Sequence, residues 1–243
     1  MKRLIRGLIP FSTRRSLFER FGLAYYSRPA LEQLDRKLEK YLPHRDGFFI
    51  ELGANDGYNQ SNTYYFEAMR NWHGILIEPI PELYVQAKQL RKRSQVFNCA
   101  CVSFDFPDDH VEMTYSNLGS LVNGALKDNA AEITHVDTMS KMQQVTPYDL
   151  SVPVRTLTSI LDECRVQTDI DLLSLDVEGF EVEVLSGLDF TRYRPRYMLI
   201  EARFKEDLDS FLARQNYAEV DQLSFWDILY EDTLSSRATS GAG

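Results

Sequence analysis

Basic residues are in deficit: 27 Lys and Arg stand against 36 Asp and Glu, a formal charge of −9. That excludes a generic nucleic-acid binder, whose surface must replace phosphate counterions. Cysteine is scarce as well, with only Cys99, Cys101 and Cys164 and no Cys-x-x-Cys pair. The spacing offers neither a zinc motif nor a dithiol, and the expectation is reduced thiols buried in a cytoplasmic protein. No apolar run approaches the roughly 18 residues that span a bilayer. Met1 to Pro10 has the charged start of a signal peptide, but Arg6 interrupts a run that is already too short, so the chain is read as intracellular. None of the histidines, His44, His73, His110 and His135, has a metal-motif spacing to another. What is present, 243 residues of which 44% are hydrophobic, fits one substantial domain with an appendage.

Charge is segregated. Residues 1–45 hold 11 basic and 4 acidic side chains, and residues 46–243 hold 16 and 32. Leu4, Ile5, Leu8 and Ile9 recur at helical spacing opposite Lys2, Arg3 and Arg6, and Leu31, Leu34, Leu38 and Tyr41 repeat the pattern. The basic N-terminal extension is either a pair of helices packed on the main domain or a surface for an anionic membrane or a protein partner.

From residue 46 to 234 short apolar runs alternate with helical stretches, the pattern of a doubly wound α/β sheet. Strands are expected at 48–52, 74–78, 95–103, 170–175, 197–201, 217–220 and 228–230, with helices at 62–70, 83–93, 157–163, 181–188 and 208–214. Residues 104–150 alternate less cleanly and are set apart as an excursion or lid. The tail, 235–243, lacks an apolar pattern and reads as disordered.

Gly53-Ala-Asn-Asp-Gly57 follows the first strand, where glycine lets backbone approach a ligand that a Cβ would obstruct. It is neither Gly-x-Gly-x-x-Gly nor a P-loop, which argues against a nicotinamide cofactor or a nucleoside triphosphate. Glu78, twenty-one residues past Gly57 and followed by Pro79, closes the second strand, where a carboxylate accepts from ribose hydroxyls. A glycine loop and a downstream acid together indicate an adenosine-containing ligand.

Asp176 and Glu178 are two residues apart at a strand's end, directed at one small volume. Two carboxylates there need a proton or a cation between them. They would take an acceptor's proton or hold a divalent metal; the plain alternative, with Glu181, is acids favoured by a helix N-terminus. Glu201 ends the next strand and opens to the same edge with Arg203, which makes it a third catalytic and metal candidate. Arg155-Thr156 is read as a substrate contact or an exposed salt bridge, and His110 and His135, in the lid, as candidate bases.

Ile50-Glu-Leu-Gly-Ala-Asn-Asp-Gly57, Ile77-Glu-Pro79 and Leu172-Leu-Ser-Leu-Asp-Val-Glu-Gly-Phe-Glu181, with Val184-Leu-Ser-Gly187, resemble the FkbM family of S-adenosylmethionine-dependent O-methyltransferases over about residues 46–203. One departure is Ser174, where the family usually has Lys. The resemblance implies a seven-stranded Rossmann-like sheet of the class I methyltransferase type. It implies that Glu51 lies beside the cofactor's ammonium and that Gly53 and Gly57 make room for its methionine chain. Glu78 would meet the ribose, Asn98 and Ala100 would border the adenine or merely end a strand, and Asn55, Asp56, Pro79 and Asp176 are further cofactor-binding candidates. The expected reaction is methyl transfer to a hydroxyl of a sugar, glycan or related natural product. Alternatives are another small-molecule or protein acceptor, or an inactive module that only binds the cofactor. Methylation of DNA adenine is not expected, since no Asn/Asp-Pro-Pro-Tyr/Phe motif is present.

Overall fold

The computed structural model describes residues 9–126, 128–167 and 169–234. Its main sheet has seven strands: β1 (Phe48–Leu52), β2 (His73–Ile77), β3 (Gln95–Phe97), β8 (Leu172–Leu175), β9 (Tyr197–Glu201), β10 (Tyr217–Gln222) and β11 (Asp227–Asp232). Their order is β3-β2-β1-β8-β9-β11-β10. All pairings are parallel except those of β11, which runs against both β9 and β10. This is the doubly wound sheet that the sequence predicts.

β1 is buried along its whole length, as a central parallel strand must be. Alternation divides it: Phe48, Ile50 and Leu52 join one core with Ile75, Ile77, Leu173 and Leu175, while Phe49 joins another with Leu76, Leu172 and Leu199. The first core is covered by α6 (Leu157–Glu163), α7 (Glu181–Leu185) and α8 (Lys205–Arg214). The second is covered by Phe66 of α3 (Tyr64–Arg70), by Trp72, and by Leu34 and Leu38 of α2 (Leu34–Leu38). Glu51 shares the Phe49 face and is accommodated there by the buried Arg91, just beyond α4 (Pro81–Leu90), whose Nη1 lies 3.2 Å from it.

Three expectations change. The third strand is two: β3 stays beside β2, but β4 (Ala100–Cys101) pairs with β7 (Tyr148–Arg155) in a second sheet of order β4-β7-β5-β6. Asn98 makes the break, its Nδ2 donating to the carbonyls of Glu78 and Pro79 at 2.9 and 2.8 Å. The 104–150 excursion is ordered: β5 (His110–Tyr115) and β6 (Leu121–Val122) pair antiparallel, and α5 (Asn129–Gln143) follows with Asp128 as N-cap. Third, Leu31 and Tyr41 do not continue a helix through Leu34 and Leu38, because Glu32 and Gln33 take left-handed dihedrals and leave α2 five residues long. Leu4, Ile5 and Leu8 and the 235–243 tail lie outside the described residues. The described N-terminal part adds α1 (Phe11–Arg20), which sits against Tyr58 and Tyr64. No helix among the described residues is long and apolar enough to cross a membrane.

Candidate active site

Between β1 and β8 the winding of the sheet reverses, so the connections leaving the two strand ends diverge and open a crevice. A cleft occupies it. One wall is the ends of β1, β2 and β8; the other is the second sheet and its loop, through Met113, Asn117, Leu118 and Val122. The excursion is therefore a built wall of the cleft.

Glu78 is at one end. It is buried, and its oxygens accept from the backbone N–H groups of Asn55 and Ile80 at 2.7 and 2.8 Å. Burial pushes its carboxyl up to about 7, although those two bonds favour the charge. Pro79, Ala100, Cys99 and Cys101 line the same end. Towards the middle the floor is Gly53, with φ 76°, whose added Cβ would lie 2.0 Å from the carbonyl oxygen of Asp176. The glycine is thus required by the approach of β1's end to β8's end.

Asp176, Glu178 and Glu201 converge at the opposite end: one oxygen of each lies within 4.8 Å of the others. β8 stops at Leu175, so strand alternation does not align Asp176 with Glu178. A tight turn does, with Glu178 at φ 55° and Gly179 at φ 104°. A left-handed glutamate is uncommon and signals a site that over-determines its backbone. Asp176 is surrounded by protein yet open to the cleft, and burial together with Glu201 and Glu178 holds its carboxyl well above the usual range. Burial raises Glu178 to about 8 as well, with Glu201 adding to the shift and Arg203 opposing it. Arg203 pairs with Glu178 and lies 3.4 Å from Glu201. His135 of α5 stands 3.8 Å from Glu178, and its Nε2 is bonded to the Gly119 carbonyl at 3.0 Å. Burial, then Arg203, keeps this imidazole below its ordinary value.

A glycine loop after β1, an acid after β2 and an acid turn after β8 thus share one cleft, and residues 51–223 match the methyltransferase FkbM domain. The chain belongs to the FkbM methyltransferase family. It is accordingly an S-adenosylmethionine-dependent methyltransferase with a Rossmann-like fold. Among solved structures it is similar to a TehB-like S-adenosylmethionine-dependent methyltransferase from Corynebacterium glutamicum (11% identity, 91% of this chain and 96% of that one, TM-score 0.42). It is also similar to a methyltransferase from Geobacter sulfurreducens (13% identity, 96% and 95%, TM-score 0.43). A third is a precorrin-6y C5,15-methyltransferase from Geobacter metallireducens (10% identity, 82% and 87%, TM-score 0.44). No curated protein matches it in sequence.

Several residues singled out from the sequence of this FkbM protein do other work. Glu51 lines the cleft, but its oxygens already accept from Ser61, Thr63, the Asn62 N–H and Arg91. Pairing with an ammonium would have to displace one of them. Asp56 turns away from the cleft and holds the N–H groups of Tyr58 and Asn59 at 2.8 and 2.7 Å. Gly57, φ 81°, is fitted to helix α4, where a Cβ would lie 3.0 Å from Ala87 Cα. Asn98 clamps the turn after β2 and is not on the cleft surface. Arg155 forms a salt bridge with Glu163 at 2.7 Å and Thr156 caps α6, so both leave the cleft. His110 is exposed beside Asp109. Missed from the sequence were Asn62, whose Nδ2 donates to Ser174 Oγ at 3.1 Å, and Asn117, 3.4 Å from the Asn55 amide. Neither carries a motif; only the fold brings them in.

Proposed function

We propose that this protein transfers the methyl of S-adenosylmethionine to a hydroxyl of a sugar or glycan. The observation that carries this reading is the convergence of Asp176, Glu178 and Glu201, of which Asp176 and Glu178 line the cleft whose other end is Glu78. The sulfonium supplies an activated methyl, so the O–CH₃ bond forms as the S–CH₃ bond breaks. The acceptor proton passes to a carboxylate of the trio, and the donor leaves as a neutral thioether. Glu78, Pro79, Ala100, Asn55 and Asn62 line the cleft and would hold the donor, Glu78 as the acceptor for ribose hydroxyls. Arg203 limits the repulsion among the acids and favours the charged form of Glu178, against the burial that opposes it. The remaining work is alignment and exclusion of water.

A sugar is favoured by the rim. The turn between β10 and β11 presents Phe225 and Trp226 edge to face at 4.7 Å, and Arg203 lies over the Trp226 ring at 5.6 Å. Both rings are exposed, next to acids that accept from hydroxyls. A sugar ring offers C–H faces to such a surface and hydroxyls to such acids.

The trio also fits a hard divalent cation such as Mg²⁺. It gathers three carboxylates, and Glu201 Oε2 is buried without a hydrogen-bond partner. Asp176, Glu178 and Glu201 would hold it, and such an ion would acidify the acceptor hydroxyl.

The test is a methyl-transfer screen over free glycosides, nucleotide-linked sugars, hydroxy acids and peptides, with Mg²⁺ or with chelator. Turnover of a sugar that falls about a hundredfold or more in Asp176→Asn, with Trp226→Ala raising its KM, supports the reading. Turnover confined to peptides or hydroxy acids overturns it.

A further inference from the structure

The N-terminal helix α1 holds a charge against the domain. Its buried residue is Arg15, whose guanidinium lies over Tyr58 at 4.5 Å and Tyr64 at 5.2 Å. Glu19, on the same inner face, accepts from Tyr64 at 2.8 Å and from Ser27 at 2.9 Å. The exposed apolar side chains gather at the helix's C-terminal end and just beyond it, where Leu17, Phe21, Leu23 and Tyr25 are 49, 71, 52 and 68% exposed. So many large apolar side chains left in water at one tip mark a surface that meets a partner.

The geometry of the helix end gathers these side chains. Gly22 takes φ 71°, its N–H donates to the Glu19 carbonyl at 2.9 Å, and the Leu23 N–H donates to the Phe18 carbonyl at 2.9 Å. This paired-bond cap brings the residue after the glycine back over the last turn. Leu23 is thereby returned beside the last turn, which carries Phe18 and Leu17, with Phe21 as the residue that ends the helix. The cap stands free, since a Cβ on Gly22 would meet nothing within 4 Å.

We propose that this tip docks on an anionic phospholipid surface, with Leu17, Phe21, Leu23 and Tyr25 entering the interface and Arg20 meeting the headgroups. Charge selects that partner. Residues 9–30 hold Arg14, Arg15, Arg20 and Arg28 against Glu19; Arg15 faces Glu19 and Arg28 pairs with Asp35 and Glu39, which leaves the exposed Arg20 at the tip, and Lys2, Arg3 and Arg6 precede it in a chain whose net charge is −9. Rings and leucines edged by arginine match an acyl boundary beneath negative headgroups, and each arginine near that surface adds attraction. The tip is also coupled to the cleft. Tyr58 donates to the Tyr26 carbonyl at 2.7 Å and Ala30 bridges Gln60, while Gln60 to Asn62 line the cleft. Docking therefore brings the loop of the donor site close to the bilayer.

The test is sedimentation of the full chain with vesicles of phosphatidylcholine alone and of phosphatidylcholine mixed with phosphatidylglycerol, alongside light scattering without lipid. The wild type is expected to sediment with the anionic vesicles only, less so at high salt. Phe21→Ser with Leu23→Ser should weaken this about tenfold or more, and Arg20→Glu should weaken it as well. Both positions are exposed, and an unchanged melting temperature confirms that the variants fold. No sedimentation with anionic vesicles, equal sedimentation with neutral ones, or unimpaired binding by the double variant would overturn the proposal. So would a dimer dissociated by Phe21→Ser with Leu23→Ser and indifferent to vesicles, since the tip would then be an interface between copies.

Discussion

One added methyl at Gly53 strikes the backbone of Asp176, since its Cβ would lie 2.0 Å from that carbonyl oxygen at φ 76°. Gly53→Ala is expected to cost roughly 3 kcal/mol or more, because two strand ends must part. Gly22 shares the sign of φ but faces open space, so Gly22→Ala should cost only about 1–2 kcal/mol. Equal losses in urea unfolding would contradict this account of the glycine. Glu181 supplies a pH test. It is buried at the start of α7, with one oxygen accepting from the Gly179 N–H at 2.8 Å, and burial raises its carboxyl from 4.5 to about 7. The folded state then holds the proton more tightly than the unfolded one, so this group's contribution is full below 4.5 and declines as pH rises to about 7. Glu181→Gln should therefore leave stability little changed near pH 4.5 and raise it above pH 7 by about 1 kcal/mol or more, roughly 2–4 °C in Tm. A gain of the same size at both pH values would refute that cause. Asp176, Glu178 and Glu78 could be placed at the strand ends from the sequence, but the turn that brings Glu178 beside Asp176, with left-handed backbone at Glu178 and Gly179, could not. Asp56, Gly57 and Asn98 were misread for a physical reason: in a tight turn the same polar or flexible residue serves backbone as readily as ligand.

The parallel strands could be read from their uninterrupted apolar runs, and Tyr197–Glu201 falls where the pattern puts it. The division of β3 from β4 could not, because extended backbone passes from one sheet to another without a change in residue type. The second sheet was opaque for a related cause: its core is small, with Val111, Met113, Val122 and Val152 at its centre, and its outer face is polar. That sheet bears on the donor site through Asn117, φ 63°, whose carboxamide lies 3.4 Å from Asn55 and 3.3 Å from Gln143. Asn117→Ala removes the link between wall and glycine loop. Calorimetry should show S-adenosylhomocysteine binding weakened by up to about tenfold, as befits one neutral hydrogen bond, with the melting temperature nearly unchanged. Undiminished affinity would mean that the wall does not hold the loop that meets the donor.

At the scale of the molecule the charge division has a structural counterpart. The basic segment supplies Leu34 and Leu38 to the core and sets α1 on the loop beside the cleft. The acidic remainder places Glu78, Asp176, Glu178 and Glu201 at the C-terminal ends of β2, β8 and β9. One end of the cleft thus offers a single acid between backbone N–H groups, the other three acids against one arginine. That polarity would put donor nucleoside and acceptor hydroxyl at opposite ends, with the methyl between them. The most direct test is calorimetric titration of the wild type and Glu78→Ala with S-adenosylhomocysteine. Micromolar binding by the wild type, weakened about tenfold or more in Glu78→Ala, is the expected result. Absence of binding by folded wild-type protein, or full affinity in Glu78→Ala, would contradict the assignment of this cleft as the donor site.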